Sequence, residues 1–144
     1  MRRLALWPAV LGGALLGALA VGADTNSTLD SLFGAHAPYE KFLEVLKAEV
    51  NAQNWSAIAD QVAYPLTVKV SGRRLHLDSR NQFLAQVKLI LTPKVRLAIE
   101  AQHYDALFAN ANGVMIGNGE LWYAGICSNT NCGNPSVKII AINP

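Results

Sequence analysis

Hydrophobic and polar positions change period several times along the chain, and each change marks a kind of element. An uncharged apolar run from Leu4 to about Val21 comes first. From Pro38 the apolar residues Tyr39, Phe42, Leu43, Leu46 and Val50 recur every three or four positions, with Glu40, Lys41, Glu44, Lys47 and Glu49 off that stripe. This spacing predicts an amphipathic helix. Pro38 suits its opening, where a missing N–H costs nothing. Asn51 to Gln53 break the period, and Asn54 can cap a second, shorter helix carrying Trp55, Ile58 and Val62. Two helices joined so closely form a hairpin.

The period then drops to two. Leu66, Val68 and Val70 alternate with Thr67 and Lys69, Ser71-Gly72 makes a turn, and Leu75 and Leu77 alternate with Arg74 and His76. That pattern predicts a strand pair. Ser79 followed by Gln82 reads as a capping box for a third helix, with Phe83, Leu84, Val87, Ile90 and Leu91 as its apolar face. Thr92-Pro93 opens a fourth short helix over Lys94 to Gln102, although alternation in Val95, Leu97 and Ile99 also fits a strand. Two runs, Tyr104 to Ala111 and Val114 to Ala124, flank the hairpin signal Asn112-Gly113, and Val137 to Ile142 makes a last strand. Helices grouped against a mostly antiparallel sheet place the chain in the α+β class.

Charge and small residues give the first segment its meaning. Arg2 and Arg3 precede the apolar run, Val21-Gly22-Ala23 supplies small residues after it, and Asp24 begins a polar stretch. That order predicts a secretory signal peptide over 1–23 and a periplasmic or secreted address, bacterial in style. A retained membrane anchor is the alternative, since the run approaches spanning length. Residues 24–37 read as a loose lead-in with Leu29, Leu32 and Phe33 touching the body, and 38–144 as a single α+β domain. The whole chain has 12 basic and 10 acidic residues, and Arg2 and Arg3 account for the entire excess. A chain balanced in this way has no electrostatic footprint for nucleic acid, nor for a membrane surface once the leader is removed. Cys127 and Cys132, the only cysteines, are expected to close a short polar loop as a disulfide in an oxidising compartment.

The helical hairpin, Tyr64-Pro65-Leu66 at the first strand, the helix from Ser79 to Leu91 and the C-terminal strands form a recognisable order. One of those strands carries Gly113-Val-Met-Ile-Gly-Asn-Gly-Glu-Leu-Trp122. In this order the chain resembles the nuclear transport factor 2-like superfamily, and in particular a group of small secreted bacterial proteins of that type. The resemblance implies a cone, as in ketosteroid isomerases and polyketide cyclases: a bent sheet wrapped on helices, an internal pocket open at one end, and frequent dimers through the sheet's outer face. Fold alone does not carry activity.

Candidate chemistry is sparse. On a strand from Val114, Asn118, Glu120 and Trp122 share one face, while Met115, Leu121 and Tyr123 share the other, with Gly117 and Gly119 bare between them. If the polar face lines the cone, Glu120 is a desolvated carboxylate beside an indole, suited to general-base work. The plainer reading has Glu120 facing solvent or a subunit partner, with Trp122 as a packing residue. His103 and Asp105 would pair if the strand begins that early; otherwise they are exposed turn residues. Tyr64 and Tyr104 could aim hydroxyls into a pocket as oxyanion donors. His36, His76 and His103 lack metal-ligand spacing, and neither a metal nor a cofactor is expected. Three functions follow in order of preference. The first is a binding module holding a small apolar ligand in the cone or a protein partner on the sheet face. The second is a cofactor-independent isomerase, cyclase or hydratase using Glu120 with Tyr64 or Tyr104. The third is an inhibitor or immunity protein acting through the Cys127–Cys132 loop.

Overall fold

A computed structural model describes residues 24–144, and the expected leader lies outside the described residues. The segment read as a loose lead-in is a helix, α1, over Thr25–Phe33. Its signals are ordinary ones. The Asp24 carboxylate accepts the Ser27 N–H at 2.8 Å, and Gly34 ends the helix in the left-handed region at φ 84°. Leu29 has no exposed surface, and burial of that kind gives a short helix its stability.

The helical hairpin forms as its periodicity predicts, with α2 over Ala37–Asn51 and α3 over Trp55–Asp60. The Asn54 side chain caps α3 by accepting the Ala57 N–H at 3.3 Å. Strands β1 (Leu66–Val70) and β2 (Arg73–Leu77) pair antiparallel with Val70 opposite Arg73. Ser71 and Gly72 form the turn between them, both at positive φ.

The third helix is broken in two, α4 over Arg80–Ala85 and α5 over Val87–Ile90. At the break the Gln86 N–H bonds back three residues to the Phe83 carbonyl at 3.0 Å, a tightening that interrupts the regular ladder. The capping box is also displaced. Ser79 accepts the Gln82 N–H at 3.4 Å, but Gln82 reaches back to the Asp78 N–H at 2.6 Å, one residue upstream of the expected partner. The ambiguous segment is helical: α6 runs over Pro93–Ala101, with Val95 and Ile99 buried and Leu97 63% exposed. A strand would have put those three residues on one face; the helical period throws Leu97 to the outside.

After a single 3₁₀ turn over Tyr104–Ala106 come β3 (Phe108–Asn110), β4 (Gly113–Ile116), β5 (Leu121–Ile126) and β6 (Ser136–Ile142). They form an antiparallel meander in the order β3-β4-β5-β6, separate from the β1–β2 pair. Two expectations change here. The run from Tyr104 becomes a strand only at Phe108, and the run from Val114 to Ala124 is two strands joined by a turn over Gly117 to Glu120. Gly117 and Gly119 both sit at positive φ, and the Gly119 N–H bonds to the Ile116 carbonyl at 3.2 Å. Those conformations favour glycine, so the chain reverses at the point where a continuous strand was expected.

The segment after α3 ties the helices to the sheet. Val62 bridges Ile139 in parallel; the Ile139 N–H donates to the Gln61 carbonyl at 2.8 Å and the Ala63 N–H to the Ile139 carbonyl at 2.9 Å. One hydrophobic cluster joins all of this. Val114, Ile116, Leu121, Tyr123, Ile139 and Ile142 line the sheet's inner face, and Leu29, Phe42, Leu46, Ile58, Phe83 and Ile99 come from the helices. The architecture is α+β with two antiparallel sheets, neither of them closed.

Because Leu29 is fully buried, Leu29→Ala is expected to cost about 2–4 kcal/mol in urea unfolding. A change below about 0.5 kcal/mol, the range of ordinary surface substitutions, would mean that α1 is no part of the folded body.

Candidate functional site

Glu120 closes the turn between β4 and β5, and its side chain is 12% exposed. Its Oε2 accepts the Asn118 N–H at 2.6 Å, and the Lys94 ammonium lies 3.9 Å from Oε1. A Cβ on Gly117 would collide with that carboxylate and stand 3.0 Å from the Ala98 methyl. Neighbouring groups hold the same turn from outside. The Asn143 N–H donates to the Glu120 carbonyl at 2.9 Å, and Asn143 Nδ2 donates to the Gly119 carbonyl at 2.6 Å. The Gly117 N–H donates to Gln102 Oε1 at 2.8 Å, and Lys47 Nζ to the Gln102 carbonyl at 2.6 Å. Glu120 therefore acts as an internal cap of its own turn. Asn118, at the exposed tip, and Trp122, on the following strand, do not share a strand face with it, which corrects the expected polar stripe.

The other expected partners are dispersed. Tyr64 donates its hydroxyl to the Ala59 carbonyl at 2.8 Å, at the end of α3. Its pKa is pushed up to about 12, first by burial and then by the Asp60 charge, with Arg80 opposing. Tyr104 donates to Asn26 Oδ1 at 2.8 Å, and burial followed by the charges of Glu40, Asp30 and Asp24 raises its pKa. Both hydroxyls are occupied in tying segments together, and neither meets Glu120. His103 and Asp105 flank or occupy the 3₁₀ turn rather than a strand, and both are exposed. The Asp105 carbonyl accepts the Thr25 hydroxyl at 3.1 Å. They are the exposed turn residues of the alternative reading, and no imidazole–carboxylate pair forms between them, because the strand that would align them begins only at Phe108.

Two other histidine–carboxylate pairs do form, one across the α1–α2 junction and one between residues two apart at the end of β2. His36 Nδ1 lies 2.8 Å from Asp30 Oδ1, which also accepts the His36 N–H at 2.7 Å, so the carboxylate locks the α1–α2 junction. His76 lies between Thr67 Oγ1 at 3.0 Å and Asp78 Oδ1 at 3.0 Å. That order of hydroxyl, imidazole and carboxylate is the order of a nucleophile relay. It stands on the solvent side of the β1–β2 hairpin, with His76 and Asp78 side chains 59% and 63% exposed. Water competes for each of its hydrogen bonds there, and cross-strand pairing is the role it fills. Among the described residues no group of three or more His, Cys, Asp or Glu is placed to hold a metal ion.

Cys127 and Cys132 are joined as a disulfide with Cα atoms 5.0 Å apart. Within their loop, Asn129 Oδ1 accepts the N–H groups of Asn131 and Cys132, each at 3.2 Å. The loop is polar and exposed, with no aromatic residue.

The sheet's outer face differs from everything above. Phe108, Met115, Trp122 and Ala141 are successive cross-strand partners and so share that face. Phe108 is 51% exposed and meets Trp122 edge-on, with ring centroids 6.3 Å apart. Beside them Gly113 is buried: a Cβ there would stand 2.7 Å from the Tyr123 carbonyl oxygen, 3.2 Å from the Ala124 methyl and 3.5 Å from Ile140 Cδ1. Ile126, 39% exposed, extends the patch. Phe83 is fully buried in the core, whereas Phe108 and Trp122 stand outside it.

Two measurements check these assignments. The folded chain holds the Tyr64 proton more tightly than the unfolded chain does. The resulting stability is fully present below the ordinary phenol pKa of about 10 and is lost as pH rises toward about 12. In an ultraviolet tyrosinate titration, Tyr64→Phe is expected to remove part of the late-ionising signal; all tyrosines ionising together near the ordinary value would contradict the burial. Glu120→Ala is expected to lower stability by about 1–2 kcal/mol in chemical denaturation, and Glu120→Gln, which keeps an acceptor oxygen, by less. Equal and negligible losses would show that the carboxylate does not cap the turn.

No protein-family model matches the chain, and neither does any curated protein or solved structure.

Proposed function

We propose that this chain is an exported binding module of the nuclear transport factor 2-like type that docks a protein partner on the bare apolar face of its four-stranded sheet. The observation that carries the reading is the stripe Phe108–Met115–Trp122, which is paired across three strands and has the helices on its opposite side. From strand spacing the face measures roughly 15–20 Å across and about 20 Å along. That is the scale at which an exposed apolar patch marks an interaction site. Aromatic residues and methionine, as in Phe108, Met115 and Trp122, are also enriched at interface centres. The signal-like residues 1–23 and the Cys127–Cys132 disulfide support an oxidising, extracytoplasmic setting.

The enzymatic alternative asks Glu120, Tyr64 and Tyr104 for chemistry they are not free to perform. Each already serves the backbone or another side chain, and they stand on separate elements. The disulfide loop offers polar contacts without an aromatic anchor, which makes it a weaker docking surface than the sheet.

A second copy of the chain is the partner we assign first. The exposed Phe108 ring and the small Ala141 beside Trp122 let two such faces pack side chain against side chain at sheet-packing distance. Residues 24–144 carry balanced charge, so the copies do not repel each other strongly. Sedimentation equilibrium of the purified chain is expected to show a concentration-dependent dimer. Trp122→Arg should weaken it at least about tenfold, or about 1.4 kcal/mol, and Phe108→Asp should act in the same direction. A monomer at every accessible concentration, or a dimer indifferent to both substitutions, overturns the assignment.

A further inference from the structure

On the helical side of the molecule, away from the sheet's bare face, the start of α3 and the α5–α6 corner enclose an open cleft of about 340 Å³. Its walls combine two kinds of chemistry. Trp55, Val87 and Leu91 supply apolar surface, whereas Arg96 and Lys88 supply positive charge. The Arg96 guanidinium lies over the Trp55 ring, 5.8 Å from its centroid. A cation–π contact of this kind orients a guanidinium while leaving N–H groups available to form a fork with an anion. Among the described residues, neither Arg96 nor Lys88 has a carboxylate within ion-pair distance. No acidic residue lines the cleft. The adjoining groove of about 300 Å³ shares Gln53, Pro93 and Arg96 with it and continues along Leu97 to Glu100. Among the described residues Glu100, one turn further along α6, is the only carboxylate lining either cleft.

The local fold shows why this corner is open. Gln53 takes a left-handed conformation, φ 53°, in the short link between α2 and α3. Thr92 ends the α5 segment and restarts the chain as α6, capping it with its hydroxyl on the Val95 N–H at 3.4 Å. Both corners line the cleft together with the indole. Arg96 and Trp55 are each partly buried, so charge at this position is screened less than at a free surface.

We infer that the Trp55–Arg96 cleft is a binding site for a small apolar monocarboxylate, an aryl-substituted or medium-chain alkyl acid. The carboxylate takes the fork of Arg96 with Lys88 as a second cation, and the hydrocarbon lies on Trp55, Val87 and Leu91. The ligand pairs the Arg96 guanidinium, which has no ion-pair partner among the described residues, with its counter-charge and covers the apolar wall at the same time. The cleft volume sits at the small end of ligand sites, which fits a compact acid rather than a steroid or a long lipid. This site is independent of the sheet face, so failure of dimerisation leaves it untouched.

The test is backbone-amide NMR of the purified chain titrated with 2-naphthylacetate and with decanoate, each compared with its neutral primary amide. Shifts should be confined to the Gln53–Trp55 link, the Val87–Leu91 segment and the first turns of α6. The acid should bind at least about fivefold tighter than the amide, with the difference shrinking as salt is raised. Arg96→Gln should erase the acid-over-amide preference, and Trp55→Leu should weaken acid and amide alike. Should Arg96→Gln disturb the helix, the exposed Lys88→Gln keeps the test intact and should reduce the preference about twofold. Absence of shifts at these residues with both acids overturns the proposal. Equal binding of acid and amide, or an undiminished preference in both charge variants, overturns it equally.

Discussion

The burial of Tyr123 sets the position of nearly everything else. It lies on the inner face of β5 with no exposed surface, and Phe42 stacks on its ring at 4.8 Å. Its hydroxyl donates to the Tyr39 carbonyl at 3.4 Å, and burial pushes its ionisation well above the ordinary phenol range. A large aromatic ring stabilises by the apolar area it hides, but its hydroxyl must find a partner in the same place. Both requirements are met only if α2 crosses the sheet at this point. Gly125 makes that crossing possible, since a Cβ there would stand 2.8 Å from the Tyr39 hydroxyl oxygen and 2.9 Å from Pro135 Cβ. Phe33 then stacks on Tyr39 at 4.6 Å and brings α1 onto the same assembly.

This packing uses one face of the meander and leaves the other uncovered. It also explains why the polar groups most suggestive of chemistry have structural roles. The interior of the described residues buries no polar or charged residue outright, and partly buried ones such as Glu120, Tyr64 and Tyr104 turn back to nearby groups. A carboxylate capping its own turn and hydroxyls fixed on Ala59 and Asn26 form a scaffold, not a converging site. What remains available for recognition lies at the periphery. The sheet carries an aromatic stripe, with Asn110 opposite Gly113 and Lys138 opposite Ala124 as polar neighbours on the same face. The helical corner carries an indole and a guanidinium that has no ion-pair partner among the described residues. The two surfaces have different chemistry and lie on opposite layers, so one chain could use both.

Much of the helical part was legible because its signals are local. Asn54, Ser79 and Thr92 cap the helices that their positions announce, and Ser71-Gly72 forms the turn that the flanking alternation requires. The candidate site was legible only as a set of residue types. Glu120 could be singled out as a carboxylate near an indole. Its actual environment depends on Asn143, Gln102 and Lys94, which are distant in sequence and come together only after the sheet closes onto α6. The stacked pair Trp55–Arg96 could not be found by spacing at all, because its members sit on two helices brought together by the core.

By itself the sequence determined the α+β class, most helix limits, the β1–β2 turn and the cysteines available for pairing, since these follow from periodicity, caps and composition. The tertiary structure decided the rest. Glycines that looked like bare positions on one long strand became the reversal between β4 and β5, because positive φ was the conformation that let Ile116 and Leu121 face the same core. A polar lead-in became a helix because Leu29, expected to touch the body, is fully buried there, a burial that the Asp24 and Gly34 caps permit but do not themselves require. Local signals specify what a segment can form; burial against distant residues selects among those forms and decides which side chains remain free to bind.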